Sequence, residues 1–418
     1  MNSPTPWRWI PSLYLAEGWP YAAVMTLSVV MYKNLGVPNT EIALYTSWLY
    51  LPWVIKPLWS PLVDLIGTPR RWVLVTQALL GMGLALVAFT LPGPLMLQSS
   101  LAVLWLVAFA SATHDIAADG FYLQALDPRQ QAAFVGVRST FYRLAMVSTQ
   151  GGLVVLAGWL QQRHGSVVTA WGLVFGGLGG AMLVLAGLHT WALPRPAPAP
   201  RDGLSAGLCA FLRVFAAYFR RPGLARVLGF LLLYRFAEAQ LLKMVLPFLL
   251  DAPSAGGLGL SNQAVGVAYG TVGVLALTLG GLLGGWLISR HGLARCLWPM
   301  VLSLNAPNVV YVLLALWPPQ ADVLGVVSVA VALEQFGYGL GFAAYMVYLL
   351  RLAQGPHPVA HFAIGTGLMA LGMMLPGMAA GWLQQQLGYL GFFIWVCVAT
   401  VPCFVATALV RIDPAEGR

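Results

Sequence analysis

The sequence predicts an all-α polytopic membrane protein of twelve spanning helices arranged as two six-helix halves. Three observations carry this. Of 418 residues, 59% are hydrophobic and 8% charged, with a mean hydropathy of +0.78, whereas soluble domains carry about 25% charged residues. Apolar stretches of ~20 residues recur along nearly the whole chain, each long enough to cross ~30 Å of hydrocarbon. The longest polar interruption falls near the middle. A β-barrel would instead alternate over ~10-residue segments.

Hydrophobic runs place the spans at about 12–32, 40–66, 72–92, 99–125, 132–160, 167–193, 224–250, 262–288, 297–317, 322–350, 360–386 and 389–410. Loop charge sets the orientation. Arg8, Arg70, Arg71, Arg129, Arg195, Arg201, Arg220, Arg221, Arg226, Arg290, Arg295, Arg351 and Arg411 fall on one side, and only Lys33 and Arg163 on the other. By the positive-inside rule the first side is cytoplasmic, with both termini there. The net charge of +9 therefore reflects topology, not nucleic-acid binding. Cys209, Cys296, Cys397 and Cys403 are dispersed, so no disulfide framework is expected. Residues 1–11 hold no apolar h-region or small-residue cleavage site, so no removable signal peptide is expected.

The domain reading is an N-terminal half (1–193), a linker (194–223) and a C-terminal half (224–418). The linker opens PRPAPAPRDG (Pro194–Gly203), a stiff Pro-rich segment. Leu208, Phe211, Leu212, Phe215 and Phe219 then recur at helical spacing beside Arg213, Arg220 and Arg221, which predicts an amphipathic helix on the cytoplasmic surface. The halves echo each other. WSPLVDLIGTPRR (Trp59–Arg71) follows span two and GGWLISRHGLAR (Gly284–Arg295) follows span eight. Both are similar to the cytoplasmic loop motif of the major facilitator superfamily, G-x-x-x-D-R-x-G-R-R, with Asp64 at the acidic position in one copy and Ser289 in the other; Ser60 stands where the motif has Gly. Gly280, Gly281, Gly284 and Gly285, and Gly365, Gly372, Gly377 and Gly381, are spaced for close helix packing. Pro376–Gly377 predicts a bend.

Charges inside spans cost ~3 kcal/mol or more each unless paired or hydrated. In ATHDIAADGFYLQ (Ala112–Gln124), Asp115 and Asp119 lie four apart on one face of span four. Span five offers Arg138 and Arg143. Asp115 with Arg143, and Asp119 with Arg138, are each symmetric about the turn at 127–131, so both pairs match in depth. His114 points about 100° away from Asp115 around the helix and reads equally as packing or as a proton relay. In span seven, Arg235 and Glu238 are spaced to pair. Gln240 and Lys243 follow, and Lys243, five beyond Glu238, is a cation available to an anionic substrate. Glu17, beside Gly18 and Pro20, Lys56 between prolines, and Glu334 with Gln335 complete a polar cavity lined from both halves. Trp48, Tyr50, Trp53, Trp59, Phe121, Tyr122, Tyr142, Tyr338 and Tyr345 suit sugar stacking, aromatic siderophores or interfacial belts alike.

KPLWSPLVD (Lys56–Asp64), SATHDIAAD (Ser111–Asp119), YRLAM (Tyr142–Met146), VGVAYGTVGVLALTLGGLLGG (Val265–Gly285) and the Glu334 region resemble the AmpG-type muropeptide permeases of the peptide/acetyl-CoA transporter branch of that superfamily. The resemblance runs over most of the chain. It implies proton-driven import across the bacterial inner membrane of N-acetylglucosamine–anhydro-N-acetylmuramyl peptides. It places Asp115, Asp119, Arg143, Arg235, Glu238 and Glu334 at polar family positions. The family has Ser-Gln-Asp where this chain has Thr113-His114-Asp115, and Arg138 and Lys243 are less clearly shared.

The expectation is thus a secondary transporter, not an enzyme, with no cofactor or metal and no nucleic-acid partner, acting as a monomer in the bilayer. The ion-pair and proton-coupling set is Asp115, Asp119, Arg138, Arg143, Glu238 and Glu334. The substrate-facing set is Glu17, Lys56, His114, Tyr122, Tyr142, Arg235, Gln240, Lys243 and Gln335. Siderophore import is the alternative cargo. DIAADG is weakly similar to a phosphatidyltransferase motif, but the following A-R and later Asp pair are missing; no Walker, Rossmann or zinc pattern occurs.

Overall fold

The computed structural model describes residues 5–195, 204–354, 358–410 and 412, and every regular element among them is helical. Eight stretches are long and apolar enough to cross a membrane. One of them, Ala360–Leu409, is 50 residues long and holds two spans, because the chain leaves helical geometry at Gly388 (φ 66°). Three further rods are interrupted, which gives twelve: α1 (10–34), α2 (39–65), α3 (Pro69–Thr90), α4 (Met96–Ala125), α5 (128–164), α6 (Val167–Ala192), α7 (224–250), α8 (262–291), α9 (293–316), α10 (Val323–Leu352), α11 (358–387) and α12 (389–409).

The interruptions have local causes. In α2 the helix lapses at Leu49 and Tyr50, just before Pro52, whose nitrogen has no proton for the ladder. In α7 it lapses at Tyr234 and Arg235, the latter at φ −110°, ψ 23°. In α1 no break occurs at Gly18 or Pro20; the winding widens instead to a π-helical turn at Ala23–Leu27. Similar π-helical turns occupy Ser148–Leu153 in α5 and Gly266–Gly273 in α8. Pro376, where the sequence predicts a bend, lies inside the helix with helical dihedrals, and within 358–398 the chain leaves helical geometry at Gly388.

Two compact units form. The first comprises the chain up to Met31 and Ile55–Arg213, the second Tyr32–Val54 and Val214–Arg418. In the first, α3 packs between α4 and α6, and α1 runs along α5. A methyl group on Gly18 would collide with Ala145 and crowd the Tyr142 carbonyl, so only glycine permits this α1–α5 distance. Trp19 Nε1 donates to Ser148 Oγ at 3.1 Å across the same seam. At one end of this unit Trp9, Leu13, Tyr14, Phe121 and Tyr122 form an apolar cluster. The α4–α5 turn is fixed by a reciprocal cap between Asp127 and Gln130 and by Tyr122, whose hydroxyl donates to the Gln131 carbonyl at 2.5 Å.

In the second unit, Gly280 of α8 abuts the Phe336 carbonyl and Gly339 of α10 abuts that of Leu277, so α8 and α10 meet backbone to backbone. Gly372 does the same for α11 on α7 and Gly381 for α11 on Asn39 of α2, while a methyl group on Gly377 would crowd the Ser47 hydroxyl of α2. Gly285, by contrast, faces open space. The linker helix spans Leu204–Phe219; residues 196–203 and the side chains of Leu208, Cys209 and Phe211 lie outside the described residues. Tyr218 near its end is fully buried, and burial pushes its hydroxyl up to about 12 despite the neighbouring Arg221. The Asp64 side chain also lies outside the described set.

Candidate functional site

In the first unit, four spans bring charge together. α4 presents Asp115 and Asp119 on one face. α5 places Arg138 against Asp119, with Nη2 2.6 Å from Oδ1, as the depth match predicts. α2 places Lys56 in an ion pair with Asp115. α1 adds Glu17, which is 8% exposed and near enough to Asp115 and Asp119 to interact with both electrostatically. The Arg138 guanidinium also lies 4.7 Å over the Tyr14 ring and 5.6 Å over that of Tyr122, a cation–π arrangement that holds it in place. A cavity of about 240 Å³ opens beside the cluster, lined by Tyr14, Glu17, Arg138, Ser139 and Tyr142.

Asp115 therefore takes Lys56, not Arg143, as its partner. Equal depth does not fix azimuth. At 100° per residue, Asp115 lies only about 40° from Asp119 around α4, whereas Arg143 lies about 140° from Arg138 around α5. Once Arg138 faces the acids, Arg143 turns aside.

His114 faces away from the acids into a buried hydrogen-bond chain that the sequence reading did not contain. Its Nε2 lies 3.0 Å from Gln77 Nε2; Gln77 Oε1 lies 2.8 Å from His189 Nδ1; His189 Nε2 lies 2.8 Å from Ser12 Oγ. Gln77 is 0% exposed and both histidines 1%. Four spans, α1, α3, α4 and α6, contribute one group each. Only the tertiary fold brings them together.

In the second unit, Glu238 and Glu334 are both 1% exposed and near enough to influence each other electrostatically. Glu334 accepts from the Tyr311 hydroxyl at 3.1 Å and from Gln335 Nε2 at 2.9 Å. Both carboxyl oxygens of Glu238 lack a hydrogen-bond partner among the described residues. The expected Arg235–Glu238 ion pair does not form. Arg235 instead donates to the Tyr338 hydroxyl and stacks 4.9 Å from the Tyr338 ring and 5.1 Å from that of Phe342. Arg235 is the N-cap of the helical segment that carries Glu238, at non-helical dihedrals (φ −110°, ψ 23°), and its side chain turns to Tyr338 and Phe342 instead. Gln240 accepts from Trp395 Nε1 at 2.8 Å. Lys243 is 5% exposed. Its Nζ donates to Thr46 Oγ1 at 3.0 Å and lies 5.2 Å from the Tyr50 ring centroid. Among the described residues, no carboxylate lies within ion-pair distance of it. Phe121 and Tyr345 are fully buried in apolar cores, so neither ring is open to a ligand.

Spanning helices whose interiors hold buried charges in both units define a multi-pass membrane transporter, and the sequence model of the Major Facilitator Superfamily matches residues 13–356. The chain belongs to the Major Facilitator Superfamily. Within it, the chain is 29% identical over 415 residues to the anhydromuropeptide permease of Escherichia coli (strain K12), covering 96% of this chain and 78% of that protein. Among solved structures it is similar in fold to a bacterial homologue of the human lysosomal transporter Spinster in an inward-facing, unoccupied conformation (TM-score 0.70, 16% identity, 97% of this chain and 96% of that one). It is equally similar to a D-xylose–proton symporter (TM-score 0.70, 11% identity, 98% of each chain).

Proposed function

We propose that this chain is a proton-driven importer of anhydro-muropeptides in the bacterial inner membrane. It works as a monomer with both termini cytoplasmic, by alternating access of the halves 1–193 and 224–418 joined by residues 194–223. The cargo follows the permease from Escherichia coli that it resembles. The observation that carries proton coupling is that two of the three acids in this cluster are paired with bases, Asp115 with Lys56 and Asp119 with Arg138, while Glu17, 8% exposed, has no ion-pair partner among the described residues. The cluster thus holds three acids against two bases, and one proton makes it neutral.

In this reading Glu17, Asp115 and Asp119 load and release the proton, while Lys56 and Arg138 hold the counter-charge. Glu238 and Glu334 form a second acidic station, since a bare carboxylate buried like Glu238 costs several kcal/mol. Gln335 and Tyr311 orient Glu334, and Arg235 keeps the region positive. Lys243 has donors to spare and receives an anionic group of the cargo. Tyr142 faces cargo, while Tyr122 and Gln240 support the walls.

The test is uptake into proteoliposomes, acid outside, with labelled anhydro-muropeptide beside a ferric siderophore. Muropeptide should accumulate, a protonophore should stop it, and Glu17→Gln, Asp115→Asn or Glu334→Gln should leave only downhill exchange. Entry of the siderophore alone would reject the cargo. Undiminished concentrative uptake in all three variants would reject the coupling.

A further inference from the structure

We infer that the Ser12–His189–Gln77–His114 chain of the first unit is a proton-binding site that holds one proton and no more, seated on either His114 or His189. The inference deepens the proton-coupling reading and rests on it only for where that proton comes from.

The count follows from donors and acceptors. Each contact in the chain needs one of each, and the Gln77 amide offers a single oxygen and a single NH2 group. As placed, its oxygen lies 2.8 Å from His189 Nδ1 and its nitrogen 3.0 Å from His114 Nε2. His189 then carries a proton on Nδ1, and His114 leaves Nε2 bare and is protonated on Nδ1. Turning the amide over reverses both roles and protonates both rings on Nε2. Two neutral rings therefore share one tautomer. One added proton breaks no contact. With the amide as placed it goes to His189 Nε2, which donates to Ser12 Oγ at 2.8 Å, while Ser12 donates onward to the Trp9 carbonyl at 3.2 Å. With the amide turned it goes to His114 Nδ1. A second added proton would set a ring N–H against the amide NH2, because glutamine has only one oxygen to give.

Position gives that capacity a use. His114 adjoins Asp115, in a cluster where three acids face Lys56 and Arg138 and one proton is wanting. That negative balance offsets the cost of burying a cation nearby. His114 lies about 16 Å along α4 from Ala125 and His189 about 5 Å along α6 from Ala192, both counted from the end that loop charge assigns to the cytoplasm. One seat is thus level with the acids and the other is near the membrane surface, where Ser12 is half-buried. Gln77 and both rings are buried, but a proton needs no cavity. Other charge around the chain is sparse. On α4, Asp115 acts on His114, beside His189 itself; Lys56 of α2 is engaged by Asp115. On α3, Arg70 is spent on the Thr190 and Leu193 carbonyls at the end of α6. Among the described residues, α1 and α5 bring no charged side chain to either imidazole.

The experiment is solid-state nitrogen NMR of the full chain, isotope-labelled at histidine, in proteoliposomes. Ring-nitrogen shifts separate the two neutral tautomers from the cation. At about pH 8 both rings should be neutral and share one tautomer, and by about pH 5 one of them, and only one, should be a cation. Gln77→Glu, whose two carboxylate oxygens can each accept a ring N–H, should let both become cations; the parent chain decides alone if this variant does not fold. The signals are assigned by their loss in His114→Gln and His189→Gln. Should either fail to fold by gel filtration, Gln77→Leu, which disturbs both rings, marks them instead. Unlike tautomers in the neutral parent, two cations or none in the acidified parent, or a single cation in Gln77→Glu would each overturn the inference. Protonophore-sensitive uptake is measured separately. A single cation without proton-driven uptake would reject the coupling and leave this site standing; proton-driven uptake without that cation would reject this site alone.

Discussion

Replacing Lys56 by Met should destabilise the first unit more than any other single charge deletion there. The side chains of Lys56 and Asp115 are 19% and 24% exposed, so water screens them little. Removing one member of such a pair leaves an uncompensated charge and costs about 3–5 kcal/mol. Here the orphan would also sit beside Glu17 and near Asp119, which adds repulsion. Partial hydration works the other way, so about 3 kcal/mol is expected, roughly a 150-fold shift in the unfolding equilibrium at 1.4 kcal/mol per decade. The assay is reversible unfolding in mixed micelles with increasing SDS, followed by tryptophan fluorescence. Lys56→Met/Asp115→Asn should recover most of the loss, because with neither charge present no orphan remains; the coupling across the cycle should exceed about 1.5 kcal/mol. A Lys56→Met variant within 0.5 kcal/mol of the parent, or two single losses that simply add, would refute the pairing as a source of stability.

Three further outcomes are expected. Gly18→Val should cost about 1–3 kcal/mol by overpacking the α1–α5 seam and should abolish transport, read by the same unfolding assay and by uptake. Gln77→Leu removes the middle of the Ser12–His189–Gln77–His114 chain and leaves two buried imidazoles short of a partner; a loss of about 1–3 kcal/mol is expected in unfolding, with the α3 packing otherwise kept. Arg235→Lys keeps the charge but not the planar stacking on Tyr338 and Phe342, so a loss of about 1 kcal/mol or more is expected; equal stability of the lysine variant would show the stacking to be idle.

The twelve rods were legible because each apolar run is long enough to span, and loops between runs are short and polar. The structure starts and ends them within a few residues of the sequence reading, and Gly388 parts the last two. The Asp119–Arg138 pair was legible too, since one hairpin fixes both depth and partner. Reasoning failed where a second coordinate mattered. Arg143 has the right depth and the wrong azimuth. Arg235 lies three residues before Glu238 but within a lapse in the helix, which no spacing rule can see. Lys56 and Glu17 reach Asp115 from other helices, and their partnership depends on how α1, α2 and α4 pack. Tyr14, Gln77 and His189 carry no signal of their own in the sequence; each acquires meaning only from neighbours tens of residues away. The glycines of α8 and α11 were read correctly as close-packing sites apart from Gly285.

The widened turns at Ala23–Leu27, Ser148–Leu153 and Gly266–Gly273 bear on how this chain tolerates changes of length. A π-helical turn carries one residue more than the α-helical turn it replaces. Deleting a residue elsewhere in a span rotates everything beyond it by about 100°, carrying buried side chains to the lipid and lipid-facing ones inward. Deleting one inside a widened turn lets the helix relax to ordinary winding, with both flanks still facing as they did. In α1 that would keep Tyr14 and Glu17 on one side of the turn and Met31 on the other in their present orientations. These three turns are thus spare links in the chain, places where a frame-preserving loss of one codon can be absorbed when the same loss a few residues away would scramble a helix face.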